Sequence, residues 1–87
     1  MNHYLILCRS ITYAQRTAQA LRHAGIGAHI LRAPQSVSRE GCSHCVRVGE
    51  RDLSAALETL ARSGLSPKHV FAPTERGEYR EVVHDLP

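Results

Sequence analysis

Tyr4-Leu5-Ile6-Leu7-Cys8 is the stretch that decides how this chain folds. It is an unbroken apolar run of strand length, with no polar residue at alternate positions. A strand of that kind needs cover on both faces, so it belongs at the centre of a sheet. The residues after it supply the first cover. Ile11, Ala14, Ala18 and Leu21 recur at three- and four-residue steps and form one apolar stripe, with Gln15, Arg16, Gln19 and Arg22 opposite. Ser10 or Thr12 is placed to cap this helix, Thr12 with Gln15 in the spacing of a capping box. Gly25 fits the left-handed position that closes it.

Further out, Ala28-His29-Ile30-Leu31-Arg32 reads as a second strand, stopped by Ala33-Pro34 because proline cannot donate to a ladder. Gln35 to Gly41 reads as a polar loop, and Cys45-Val46-Arg47-Val48 alternates like a half-exposed strand. A second helix capped by Asp52 buries Leu53, Ala56, Leu57, Leu60 and Ala61, ends at Gly64 and is kept from continuing by Pro67. His69-Val70-Phe71 is a short strand stopped by Pro73, and Glu78 to Val83 fits either an edge strand or a draped tail. The order β-α-β-β-α-β predicts an α+β fold of the ferredoxin-like, split β-α-β kind. It has a single antiparallel sheet with two helices on one face. Residues 1–87 form one domain, with a core over about 3–72 and an edge strand or tail over 73–87.

That topology places the end of the first strand, the start of the first helix and the connection between strands two and three at one edge. Cys8, Ser10, Cys42, His44 and Cys45 are therefore expected to share a neighbourhood, beside the partial positive charge of the helix N-terminus. Composition narrows the chemistry. A chain of 87 residues has room for one sheet and its helices, not for an enclosed site with its own cofactor domain. Its 11 basic residues are scattered and its aromatics few, which argues against a nucleic-acid surface. No apolar run approaches the ~20 residues of a membrane span. Met1-Asn2-His3 does not open a secretory signal, so the expected location is a reducing cytoplasm. Three cysteines, an odd number, do not make a disulfide framework.

In a reducing compartment the Cys42-Ser43-His44-Cys45 spacing reads as redox, sulfur or metal chemistry. Cys42, in the loop, is the candidate nucleophile. The thiolate is the reactive form, and nearby arginines lower a thiol pKa, with Arg39 and Arg47 as candidates. Cys45 is a resolving thiol, a metal ligand or a core residue at the strand start. His44 is a proton donor or acceptor, a ligand or a solvated loop residue. Cys8 is a core residue or a third thiol in the site.

Ser10, Ala14, Gly25, Ile26, Pro34, Ser38, Cys42 and Arg47 carry a resemblance to a family of short bacterial domains described as selenium/sulfur carrier protein-like. The likeness spans about residues 3–72. The glycine that follows the cysteine in that family is Ser43 here, and Cys45 stands at a position usually apolar. The resemblance implies a small carrier or accessory protein rather than an enzyme. It would accept sulfur or selenium on Cys42 and pass it between donor and acceptor proteins, with no cofactor.

Two other readings come from the residues alone. One is a metal-binding or metal-delivery domain holding zinc or copper through Cys42, Cys45 and His44, although one C-x-x-C supplies only two of the four ligands of a structural zinc site. The other is a regulatory or interaction domain with incidental cysteines. An open sheet face also leaves room for a homodimer.

Overall fold

The computed structural model describes residues 2–38 and 43–82. The elements follow the expected order: β1 (His3–Cys8), α1 (Ile11–His23), β2 (Ala28–Arg32), β3 (His44–Gly49), α2 (Leu53–Arg62), β4 (His69–Pro73) and β5 (Tyr79–Glu81), with one 3-10 turn over Glu50–Asp52 before α2. The strands form one antiparallel sheet in the order β2-β3-β1-β4-β5. This is the ferredoxin-like α+β arrangement extended by one edge strand, β5, which lies within the stretch 78–83; Val83 is outside the described residues.

Both helices end by the same device. Gly25 takes φ 81 and Gly64 φ 72, a region costly for any residue with a Cβ. After α1, the N–H of Ile26 donates to the Leu21 carbonyl (2.9 Å) and that of Gly25 to Arg22 (3.0 Å). After α2, Leu65 donates to Leu60 (2.8 Å) and Gly64 to Ala61 (3.3 Å). These paired bonds satisfy the orphan carbonyls of a helix end and turn the next apolar residue, Ile26 or Leu65, back onto the core. At the start of α1 the cap is Ser10, whose Oγ accepts from the Tyr13 N–H at 3.0 Å, while Thr12 lies inside the helix. Asp52 stands at the cap position of α2 but makes no side-chain cap bond. The β4–β5 hairpin turns on Gly77 at φ 80, whose N–H donates to the Thr74 carbonyl.

The buried faces of the helices keep most of the residues read from the sequence, and each takes in a threonine. On α1 the buried residues are Ala14, Thr17, Ala18 and Leu21. Ile11 is 42% exposed and stands outside the buried face. On α2 they are Ala56, Leu57, Thr59 and Leu60, with Ala61 exposed.

Strand side chains alternate between the two faces. Ile6 and Cys8 of β1, Val46 and Val48 of β3 and Val70 of β4 point to the helices, where they join Ala14, Ala18, Leu21, Ala56 and Leu60 in the main core. Leu5, Leu7, Cys45 and Phe71 point to the other face and form a second, smaller cluster. Among the described residues no helix covers that face. Val37, 0% exposed, packs there from the segment after β2, in what the sequence presents as a polar loop. Pro34 starts the turn that delivers it: the Pro34 carbonyl accepts from the N–H groups of Val37 (2.9 Å) and Ser38 (3.0 Å). Among the described residues no helix is long and apolar enough to cross a membrane.

Candidate functional site

The strand register fixes one end of the sheet. Cys8 pairs with His44 and Arg32 pairs with His44, while Leu7 pairs with both Cys45 and His69. The β2–β3 ladder continues one step further, with the Ala33 N–H donating to the Ser43 carbonyl at 2.8 Å. The end of β1, the N-terminus of α1, the end of β2 and the start of β3 thus meet at one edge, as the topology requires. Cys42 and Arg39 lie outside the described residues; the chain resumes at Ser43, exposed, at this edge.

The edge does not bring the thiols together. Cys8 and Cys45 stand on opposite faces of the sheet, because Cys45 pairs with Leu7 and the residue next to Leu7 points the other way. Cys8, 2% exposed, lies under α1, with its Sγ 3.6 Å from the Ile6 carbonyl and 4.0 Å from the Thr17 hydroxyl. It is a core residue, not a third wall of the site beside Cys45. Cys45, 0% exposed, is packed among Leu5, Leu7, Val37 and Phe71. Burial pushes its thiol up from 9.0 to about 11, and the neighbouring Cys8 adds to the rise. A thiol so placed stays protonated near neutral pH and presents no nucleophile to solvent.

His44 is half-buried at the start of β3, and its Nδ1 lies 3.1 Å from the Ser43 hydroxyl. It follows the helix-facing register of its partner Cys8, so it diverges from Cys45. The two cannot hold one ion between them while β3 keeps its pleat. Of the zinc or copper set of Cys42, Cys45 and His44, the two described residues, Cys45 and His44, therefore stand on opposite faces of the sheet. Among the described residues no group of three His, Cys, Asp or Glu is arranged for a metal.

Ser10 sits at the edge, but its hydroxyl is engaged as the helix cap. Arg9 beside it lies over the Tyr13 ring, 4.6 Å from its centroid. Arg47 is exposed on the open face, paired across the strands with Leu5 and His29, two residues along β3 from Cys45. A concavity lined by Gly49, Glu50, Arg51 and Asp52 lies at the far end of the sheet, where Gly49 pairs with His3, and touches none of the candidate residues.

Sequence reasoning missed Val37, a fully buried member of the cluster that holds Cys45. A lone valine among serines has no periodic neighbours to mark it as buried; the Pro34 three residues earlier was the available sign of a turn.

Fold and edge together define a small α+β domain in which Cys8 and Cys45 hold core positions, while Cys42, between β2 and β3 in the sequence, lies outside the described residues. The chain is a member of the family described as "Putative Se/S carrier protein-like", whose pattern matches residues 3–72. No curated protein and no solved structure matches it.

Proposed function

We propose that this protein is a small cytoplasmic sulfur or selenium carrier that accepts its cargo on Cys42 and hands it to a partner enzyme. One observation carries the reading beyond family membership. Of three thiols, Cys8 and Cys45 are enclosed on opposite faces of the sheet, and burial holds Cys45 protonated, which supports assigning the reaction to the third, Cys42. Its chain neighbour Ser43 is exposed at the edge where β1, α1, β2 and β3 meet. The transfer is a thiolate exchange. The Cys42 thiolate attacks the outer sulfur of a donor persulfide, the donor S–S bond breaks, and the donor cysteine leaves as a thiolate. Cys42 then holds the persulfide, with no net oxidation or reduction. Delivery repeats the step with the acceptor as attacking thiolate. Arg39 and Arg47 are the cations proposed to favour the Cys42 thiolate.

Cys45 is assigned to the core in this reading. A resolving role would require the Val37 cover to open first, since attack on the Cys42 persulfide needs a thiolate at Cys45.

The test is mass spectrometry after incubation with a cysteine desulfurase bearing a persulfide, or bearing the corresponding selenopersulfide (Cys–S–SeH), whose outer atom transfers by the same thiolate exchange. The expected result is one added sulfur or selenium atom on the Cys42 peptide and none in Cys42→Ser. Absence of an adduct on Cys42, under conditions that load a known carrier, would overturn the reading. Full function of Cys42→Ser would point to an interaction domain instead.

A further inference from the structure

The ladder pattern of the sheet fixes which backbone groups of β2 face outward. Glu50 donates its N–H to the Asn2 carbonyl (3.1 Å), so along β3 the even-numbered residues bond to β1. The odd-numbered ones bond to β2, and the Ala33 N–H accordingly donates to the Ser43 carbonyl (2.8 Å). On β2 the ladder therefore runs through His29 and Leu31. The N–H and C=O groups of Ala28, Ile30 and Arg32 point away from the sheet, along its outer edge.

At Ala28 that edge is already closed. Arg22 donates through both Nε (3.0 Å) and Nη2 (2.7 Å) to the Ala28 carbonyl, which uses both lone pairs of the oxygen. Among the described residues nothing bonds the outward groups of Ile30 and Arg32. An open row of this kind is a template for another strand.

We propose that this edge is a self-association surface, on which β2 of a second copy adds antiparallel with Leu31 opposite Leu31. In that register Ile30 of each copy faces Arg32 of the other, and the two residues exchange N–H···O bonds, so every outward group of both finds a partner. The saturated Ala28 carbonyl falls opposite Pro34, which has no N–H to offer. The neighbouring register, with Ile30 opposite Ile30, sets the Arg32 N–H against that same carbonyl and leaves it unpaired. Arg22 and Pro34 of one chain thus select a single alignment with its own copy, which favours a second copy over a strand of another protein.

Side chains agree with the alignment. Leu31 is half-buried on the face that holds Cys45, and the leucines at the axis form the closer, non-hydrogen-bonded kind of pair. The twofold axis of such a pair stands perpendicular to the sheet, so both α1 helices lie side by side on one face. Arg22 marks the flank of α1 that reaches this edge, and Ile11 lies within about 20° of it round the helix. Ile11, 42% exposed, is therefore on the flank turned towards the second copy. The two Arg32 side chains are exposed and diagonal across the axis, where water and salt screen them. The contact is the same on both copies and closes at two, whereas β2 against β5 of another copy would propagate. This inference goes beyond the carrier reading and does not rest on it.

The test is sedimentation velocity on the full chain as its concentration rises from about 10 µM to about 1 mM, the range for a small contact. The mass should pass from monomer to dimer and stop there, and amide exchange at Ile30 and Arg32 should slow several-fold over the same range. Arg32→Pro removes an outward N–H, which an edge strand tolerates, so it should abolish the dimer while keeping the wild-type circular dichroism; Arg32→Ala should retain the dimer. Cross-linking by oxidised glutathione in the Cys42→Ser background reads the alignment. Leu31→Cys should give a disulfide-linked dimer. Ile30→Cys should not, because its two copies lie diagonally, roughly 7–8 Å apart. A monomer throughout would leave the edge to a strand of a different protein and overturn the proposal. A mass beyond dimer, a dimer unaffected by Arg32→Pro, or linking of Ile30→Cys instead of Leu31→Cys would each overturn it too. If Arg32→Pro fails to fold, the cross-linking pair still decides the question.

Discussion

The two faces of the sheet enclose their cysteines by different means. Cys8 lies under a broad core to which both helices contribute, from Ala14, Ala18 and Leu21 on one to Ala56 and Leu60 on the other. Cys45 lies in a small cluster with Leu5, Leu7 and Phe71, covered from the segment after β2 by Val37. The difference is one of cooperativity. Uncovering Cys8 requires a helix to leave the sheet, which is unfolding. Uncovering Cys45 requires a short turn with few apolar contacts to move, and segments of that kind open locally at lower free energy than the core. The thiol within reach of partial opening is the one on the face without helices.

The largest expected effect breaks the comparison on the helix face. Leu21, fully buried where α1 meets the sheet, loses its packing in Leu21→Ala, at a cost of about 3 kcal/mol on the scale of such truncations. Denaturant unfolding should show the loss, and Cys8 should become reactive only as the whole domain melts. Labelling of Cys8 ahead of the unfolding transition would mean that the helix face also opens locally.

The second effect is a pH dependence belonging to the open face. The Cys45 thiol is raised from 9.0 to about 11, chiefly by burial, so the folded state holds the proton more tightly than the unfolded chain. That contribution to stability is complete below about pH 9 and is lost as pH rises towards 11. It amounts to on the order of 2 kcal/mol. Stability measured across this range should fall more steeply in the wild type than in Cys45→Ala. Parallel curves would place the Cys45 thiol in water rather than beneath Val37.

Why the two faces had to be seen rather than read follows from β1 itself. Tyr4 to Cys8 is apolar at every position, so it announces a central strand but not which side chains face the helices. A shift of one residue in register exchanges the faces. The pairing of Leu7 with Cys45 settles it, and that pairing is a property of the folded sheet. The helix ends were legible because Gly25 and Gly64 are needed for positive φ, a local requirement written in single residues. The convergence of Cys8, Ser10 and His44 on one edge was legible from topology. Their division between faces was not, and it separates His44 from Cys45. Ile11 misled because spacing alone fits it to the buried stripe, yet it is 42% exposed.

A third, smaller effect tests the cover directly. Val37→Ala removes two methyl groups from the cluster over Cys45 and should cost about 1 kcal/mol. Its signature lies in reactivity rather than in melting. A thiol reagent should modify Cys45 several-fold faster in Val37→Ala than in the wild type under native conditions, with Cys8 unchanged. An equal rate in the two proteins would show that Cys45 is reached by global unfolding, and the contrast between the faces would disappear.

The smallest effect concerns the far side of the open face, where β5 is held to β4. His69 Nδ1 meets the Glu81 carboxylate across these strands, both side chains being more than a third exposed. Exposed pairs of this kind contribute little, because water already solvates both groups well and holding the side chains costs entropy. The β5 ladder and the packing of Tyr79 against the Leu5–Phe71 cluster therefore hold the strand. Glu81→Ala should change global stability by no more than about 0.5 kcal/mol, and amide exchange should quicken within β5 while Cys45 reactivity stays at the wild-type value. If Glu81→Ala instead accelerated Cys45 labelling as much as Val37→Ala, the open face would be one cooperative unit from β2 to β5. The cover on the thiol would then be shared by the whole face rather than set by the turn after β2.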